Sequence, residues 1–118
     1  MSRDLGQRYE QTAERLLRDL GYEIVERNFT CRGGEIDLVC RDGEVLVFVE
    51  VRGRASCAFG LPEETVDWRK QRRLRKAAWV YLLRRALGEP ICRFDVIGID
   101  ADGARLYRDA FGEEVTAG

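Results

Sequence analysis

The sequence contains no histidine, and its four cysteines form no Cys-x-x-Cys pair. Without histidine, Ser-His-Asp and Cys-His catalysis are excluded, and so is the ligation of a metal ion by imidazole. An all-cysteine zinc site would need Cys31, Cys40, Cys57 and Cys92 to converge, so we expect free thiols in a reducing compartment instead. Any active site must therefore be built from carboxylates, Lys or Arg, Tyr, and Ser or Thr.

Long apolar runs are also missing. No stretch approaches the roughly 20 residues that span a bilayer, and the first residues lack the apolar segment of a signal peptide. We therefore expect a cytoplasmic protein. The chain has 118 residues, of which 45% are hydrophobic and 35% charged, as is typical of a soluble globular domain. This predicts a single domain over residues 1–118, with a flexible tail at about 110–118.

Hydrophobic periodicity predicts an α/β fold in the order α-β-β-β-α-β. A helical apolar stripe predicts a first helix over residues 4–20. A second helix is predicted to start between residues 62 and 68, with Asp67 as a plausible N-cap, and to end near Leu87. Strands are predicted over residues 22–29, 35–40, 45–51 and 92–100, with a short edge strand over 105–108. Asp42-Gly43 predicts a two-residue hairpin turn. The order implies an antiparallel meander, then a helical crossover, giving a mixed β-sheet flanked by helices.

Two acids interrupt apolar strands. Asp37 lies between Ile36 and Leu38, and Glu50 interrupts the continuous apolar run of the third strand, where a carboxylate is costly unless it is paired or binds a metal. The tight turn makes these strands neighbours, so Asp37 and Glu50 are expected to converge on one face, with Arg52 two residues further along. Mg²⁺ prefers carboxylate oxygens. Asp37, Glu50 and Arg52 therefore suit metal-assisted phosphodiester hydrolysis, in which the cationic side chain of Arg52 stabilises the transition state.

The first helix offers a third carboxylate. At about 100° per residue, Glu10 falls on the border of the apolar stripe, about 80° from its centre, where it can reach a site at the edge of the sheet. Glu14 falls about 120° away and is expected to face water.

A basic run occupies residues 69–76, although the formal net charge is only −1. Six of its eight residues are cations, a pattern that indicates salt-sensitive, sequence-independent contact with a phosphate backbone. The alternative is a solvated helix face. The predicted nucleic-acid-binding residues are Arg54, Arg69, Lys70, Arg72, Arg73 and Lys76. Trp68 and Trp79 are candidates for base stacking or for the core, and the core is favoured for Trp79.

Six short motifs between about residues 5 and 100 form a recognisable combination. They are Gly6-x-x-x-Glu10-x-x-Ala13, Gly21-Tyr22, Arg27-Asn28, Gly34-Glu35-Ile36-Asp37-Leu38-Val39, Phe48-Val49-Glu50-Val51-Arg52 and Arg93-Phe94-Asp95-Val96. The combination resembles the bacterial YraN-type family of proposed endonucleases, which is itself similar to archaeal Holliday-junction resolvases and the PD-(D/E)xK nucleases. The resemblance implies a restriction-endonuclease-like fold, Mg²⁺ or Mn²⁺ as cofactor, and DNA as partner, with branched or single-stranded forms and a homodimer among the expectations.

The same resemblance implies a catalytic set of Glu10, Asp37, Glu50 and Arg52, with Glu10, Asp37 and Glu50 as metal ligands. Arg52 stands where the nuclease motif has lysine, and arginine cannot release a proton as lysine can. Two functions therefore stay open: a DNA endonuclease in which Arg52 acts electrostatically, and a catalytically degenerate nucleic-acid-binding module. A third is a protein-interaction domain whose basic helix contacts an acidic partner. A purely structural interpretation makes the two strand acids salt-bridge partners of nearby arginines.

Overall fold

The elements follow the predicted order, with a fifth strand at the end. A computed structural model describes residues 2–53 and 67–111, with the side chains of residues 6–53 and 67–111. The elements are α1 (Ser2–Asp19), β1 (Glu23–Cys31), β2 (Gly34–Asp42), β3 (Val45–Arg52), α2 (Trp68–Arg84), β4 (Cys92–Asp100) and β5 (Gly103–Tyr107). Residues 54–66, which include Arg54 and Cys57, and the tail from residue 112 lie outside the described residues.

One mixed sheet carries the fold, with the strands in the order β1-β2-β3-β4-β5. β3 and β4 are parallel, whereas the other neighbouring pairs are antiparallel. A parallel pair requires a crossover connection, and α2 lies in that connection. The predicted meander and helical crossover are therefore confirmed, and the architecture is consistent with a restriction-endonuclease-like fold.

The hairpin between β2 and β3 is shifted by one residue from its predicted position. Asp42 pairs with Val45, so the two-residue loop is Gly43-Glu44 rather than Asp42-Gly43. Gly43 has a φ of 64°, a left-handed conformation that glycine adopts without a steric cost. The glycine thus fixes the turn, and Asp42 stays in the strand.

The two helices pack on opposite faces of the sheet. Phe48 of β3 and Phe94 of β4 belong to a buried cluster that includes Leu74, Ala77, Ala78, Tyr81 and Leu82 of α2. Val47 and Val49, the alternate residues of β3, belong to a second cluster with Ala13 and Leu17 of α1. These five residues of α2 form the inner stripe of the helix. No helix in the described ranges is long and apolar enough to cross a membrane.

The N-terminal half of α2 is fixed at two points. The side chain of Asp67 accepts a hydrogen bond of 2.9 Å from the backbone N–H of Lys70, which confirms the predicted N-cap. Gly34 lies against the helix backbone so closely that a Cβ atom there would be 2.7 Å from the carbonyl oxygen of Arg73. These contacts hold the start of the basic run beside the strands that carry the acids.

The cysteines described by the structure carry free thiols. Cys31, Cys40 and Cys92 form no disulfide, as expected. Cys40 is fully buried among the residues that pack against α1. Burial raises the pKa of its thiol to about 12, so it serves as a small apolar core residue.

Candidate acidic site beside a basic helix

Glu50 is buried near the end of β3, with 5% of its surface exposed. It follows Phe48 on the face of the sheet that packs against α2, because alternate residues of a strand share a face. Two cations reach its Oε2 atom: Arg52 Nη1 and Lys70 Nζ each lie 3.4 Å away. The predicted proximity of Glu50 and Arg52 is therefore observed. The contact from Lys70 was not predicted.

Asp37 lies beside Glu50. The β2–β3 register pairs Leu38 with Val49, and one further step along both strands brings Asp37 opposite Glu50. The charge of Glu50 acts on Asp37, and the backbone N–H of Val51 donates a hydrogen bond of 2.8 Å to Asp37 Oδ2. Burial, and then the charge of Glu50, raise the pKa of Asp37 to about 7. The structure thus brings together the two acids that the sequence singled out.

A local irregularity in β1 and β2 aims Asp37 into this site. Ile36 packs in the α2-side cluster and Leu38 in the α1-side cluster, although residues two apart in a regular strand share a face. β2 therefore rotates at Asp37. Asn28 of β1 lies opposite Asp37, since the residues on either side of Asn28 pair with the residues on either side of Asp37. The backbone of Asn28 has a left-handed φ of 53°. Asparagine tolerates that conformation better than most residues.

Glu10 of α1 borders the pair. Burial and then the charge of Asp37 raise the pKa of Glu10, so the two carboxylates lie within electrostatic reach. Asn28 Nδ2 donates a hydrogen bond of 3.4 Å to Glu10 Oε1. The expectation that Glu14 faces water is wrong. Its side chain is only 17% exposed because Arg27 of β1 forms an ion pair with it at 2.6 Å.

Asp95 shows what a structural buried acid looks like in this protein. It is fully buried, and its carboxylate accepts hydrogen bonds from the Tyr22 hydroxyl at 2.9 Å, Arg93 Nε at 3.0 Å and the Asp109 backbone at 2.9 Å. Short bonds from good donors therefore surround it. Glu50 instead has longer contacts to its cations and a second carboxyl group beside it, an arrangement that costs free energy when both acids ionise. A role in stabilising the fold thus explains the acid pair poorly.

The pair suits a hard divalent cation. Mg²⁺ is commonly held by one or two carboxylates and keeps several waters, and a cation between Asp37 and Glu50 would relieve the repulsion that raises the pKa of Asp37. Among the side chains of residues 6–53 and 67–111, no three carboxylate or thiol groups are close enough to form a ready-made cluster. The two strand acids are therefore the direct ligands that the geometry supports, with Glu10 nearby.

The basic face of α2 begins at this site. Arg69, Arg72, Arg73 and Lys76 are exposed, whereas Lys70 is turned toward Glu50. An open groove of about 550 Å³ runs between α2 and the β1–β2 turn, and Lys70 and Arg73 line it together with Gly33, Gly34 and Glu35. Five of the six predicted nucleic-acid-binding cations are thus placed on one helix, and Arg54 lies outside the described residues.

Both tryptophans of α2 are exposed. Trp68 is 58% exposed, and the guanidinium groups of Arg69 and Arg72 lie 5.1 and 5.7 Å from the centre of its ring. The expectation that Trp79 belongs to the core is wrong, since it is 42% exposed. Successive helical residues are separated by about 100°, so burying Ala78 turns the next side chain away from the sheet.

The mixed sheet, the helix on each face and the acid pair at the end of β3 define an α/β protein of the restriction-endonuclease-like class. The chain belongs to the family described as "Uncharacterised protein family UPF0102", whose model matches residues 9–99. The YraN-type resemblance is thereby confirmed.

Similar bacterial proteins carry the family designation as their name. The UPF0102 protein of Carboxydothermus hydrogenoformans is 48% identical over 105 residues, covering 89% of this chain and 89% of that protein. The relative from Moorella thermoacetica is 51% identical over 112 residues, covering 90% and 93%. A third, from Hahella chejuensis, is 51% identical over 94 residues, covering 80% and 76%.

Proposed function

We propose that this protein is a metal-dependent DNA endonuclease that hydrolyses phosphodiester bonds. The observation that carries the proposal is the buried pair Asp37–Glu50, with two cations at Glu50 and a basic helix leading away from it. Two carboxylates buried side by side are costly to the fold when both ionise, whereas a metal site requires them. Branched and single-stranded DNA are included among the proposed substrates.

Each residue has a defined part in this proposal. Asp37 and Glu50 would hold Mg²⁺ or Mn²⁺, and Glu10 adds negative charge from α1. When bound, the metal would supply an activated water and neutralise charge on the phosphate. Arg52 and Lys70 stabilise the negative charge that grows on the phosphate oxygens during the reaction. Because arginine keeps its proton, Arg52 acts only through its charge and hydrogen bonds.

Arg52 also favours a second candidate, a nucleic-acid-binding module that has lost catalysis. If hydrolysis needs a lysine at this position, the chain binds DNA and leaves it intact. Lys70 and Arg52 then neutralise Glu50 permanently. The basic face of α2 has the same role in both candidates, so binding alone does not separate them.

The separating experiment incubates linear duplex, single-stranded and four-way-junction DNA with Mn²⁺ and three forms of the protein: wild type, Glu50→Ala and Arg52→Lys. The proposal predicts cleavage by the wild type and none by Glu50→Ala. Cleavage by Arg52→Lys alone would identify a degenerate nuclease. If no form cuts while salt-dependent binding persists, the enzyme proposal is wrong.

Two further expectations accompany the proposal. A cytoplasmic location agrees with DNA as the substrate, and a homodimer agrees with the likeness to resolvases. Both stay predictions, and measurement of the molar mass in solution by light scattering tests the second.

A further inference from the structure

The outer face of α2 combines exposed indole rings with exposed cations. Trp68 and Trp79 are 58% and 42% exposed. They are separated by 11 residues, which is about three helical turns, so they project from similar sides of the helix about 16 Å apart along its axis. Arg72 and Lys76, both exposed, lie between them at helical spacing. The face therefore alternates aromatic and cationic side chains.

The combination of indoles and cations on this face narrows the class of ligand further than the positive charge alone does. Exposed arginines and lysines attract any polyanion, including a duplex, through its phosphates. Large exposed indoles add nothing to that contact, but they provide surfaces on which unpaired bases stack. In a duplex the base faces are already stacked on one another, so Trp68 and Trp79 can only be used by a strand with unpaired bases.

Trp68 combines an exposed ring with two neighbouring cations. Arg69 and Arg72 hold their guanidinium groups within 5.1 and 5.7 Å of the ring centre, while more than half of the residue stays exposed. A base stacked on Trp68 would thus have cations beside it for its own phosphates. Lys70, two residues further along, contacts Glu50 at 3.4 Å. Because two helical residues are about 200° apart around the axis, the stacking surface lies on the outer side of the same helix whose inner side reaches the acid pair.

We infer that the outer face of α2, centred on Trp68 and Trp79, binds single-stranded DNA by stacking unpaired bases between phosphate contacts. The inference rests on the proposed function, since it names the form of DNA brought to the acid pair. It selects single strands, or the single-stranded part of a branched molecule, over continuous duplex. An acidic protein partner would match the cations but would leave the indoles without a role.

The test measures binding in EDTA, where metal-dependent cleavage cannot contribute. A single-stranded oligonucleotide and the blunt duplex of the same length are titrated against wild type, Trp68→Ala, Trp68→Phe and Trp79→Ala. A stacked base contributes about 1–3 kcal/mol, so Trp68→Ala is expected to weaken single-strand binding at least about fivefold. Duplex binding should stay unchanged, and Trp68→Phe should keep most of the affinity. In the wild type, the single strand should also quench tryptophan fluorescence more strongly than the duplex does.

Leu83→Ala is the matched control, because Leu83 is 60% exposed on the same helix but offers no ring. The inference would be overturned if the wild type bound both DNA forms with equal affinity. It would also be overturned if Trp68→Ala and Trp79→Ala bound the single strand as tightly as the wild type does. Those results leave the proposed hydrolysis standing. Conversely, stacking-dependent binding without any cleavage in Mn²⁺ would refute the proposed function and retain this inference.

Discussion

At the scale of single residues, Asp37 and Asp95 are both acids within strands, but their surroundings differ. Asp95 has hydrogen-bond donors on several sides, whereas Asp37 faces Glu50 and has one backbone donor, the N–H of Val51. Burial and the neighbouring charge therefore raise the pKa of Asp37 from 3.8 to about 7. Stability and metal binding both depend on this one group.

The raised pKa makes stability fall with pH. Between about pH 4 and pH 7 the folded protein binds a proton at Asp37 that the unfolded chain has released, so the free energy of unfolding decreases across that window. Asp37→Asn keeps an acceptor for Val51 and removes the charge. We expect it to stabilise the metal-free protein by about 1–3 kcal/mol at pH 8, and the gain should vanish by about pH 4.

Urea denaturation at pH 4, 6 and 8 measures this difference. Glu44→Gln serves as the control because Glu44 lies exposed in the β2–β3 loop, and we expect little change at any of the three values. A gain from Asp37→Asn that is the same at pH 4 and pH 8 would mean that the Asp37 charge does not oppose folding.

At the scale of elements, the contact between the β1–β2 turn and α2 positions the basic run. Ala at position 34 would place its Cβ 2.7 Å from the Arg73 carbonyl oxygen, so the backbone of one element must shift. We expect Gly34→Ala to lower the free energy of unfolding by about 1–3 kcal/mol, measured by urea denaturation. Gly6→Ala is the control: Gly6 lies in α1 with open space around it, and this change should raise stability by about 0.5–1 kcal/mol.

The exposed cations of α2 should set how DNA binding responds to salt. Arg73 and Lys76 are exposed, and each phosphate contact contributes about 0.9 to the slope of log K against log salt concentration. The double variant Arg73→Ala/Lys76→Ala is therefore expected to reduce the slope for duplex DNA by about 1.8. Arg18→Ala removes an exposed cation of α1 that pairs with Glu14, and its slope should equal that of the wild type. Equal slopes for all three proteins would exclude the basic face as the backbone contact.

Periodicity and turn chemistry predicted much of the element order from sequence. β4 has the predicted bounds, and the register set by the β2–β3 hairpin accounts for the meeting of Asp37 and Glu50. The sequence could not predict the contact from Lys70, because it depends on how α2 returns to the sheet after the crossover. The burial of Glu14 escapes the sequence for a similar reason: its partner Arg27 comes from another element. The hydrophobicity of Trp79 favours burial, but the inner stripe of α2 turns this side chain outward.

At the scale of the whole molecule, the topology concentrates the candidate chemistry at one end of the sheet. The antiparallel hairpin joins Asp37 to Glu50, α1 adds Glu10 from one face, and α2 adds Lys70 from the other. α2 also carries the exposed cations and, on its outer side, the indoles, so one helix connects the proposed DNA-binding face with the acids. Family membership and fold are consistent with this arrangement, and the reaction itself is the proposal to be tested.

The most direct test is the rate of cleavage of a labelled single-stranded oligonucleotide as a function of Mn²⁺ concentration at pH 8, for the wild type and Asp37→Asn side by side. We expect a rate that rises and saturates with Mn²⁺ for the wild type, and no cleavage by Asp37→Asn at any concentration. Cleavage by Asp37→Asn with the same Mn²⁺ dependence, or no cleavage by the wild type, would show that this acid pair is not the metal site of a nuclease.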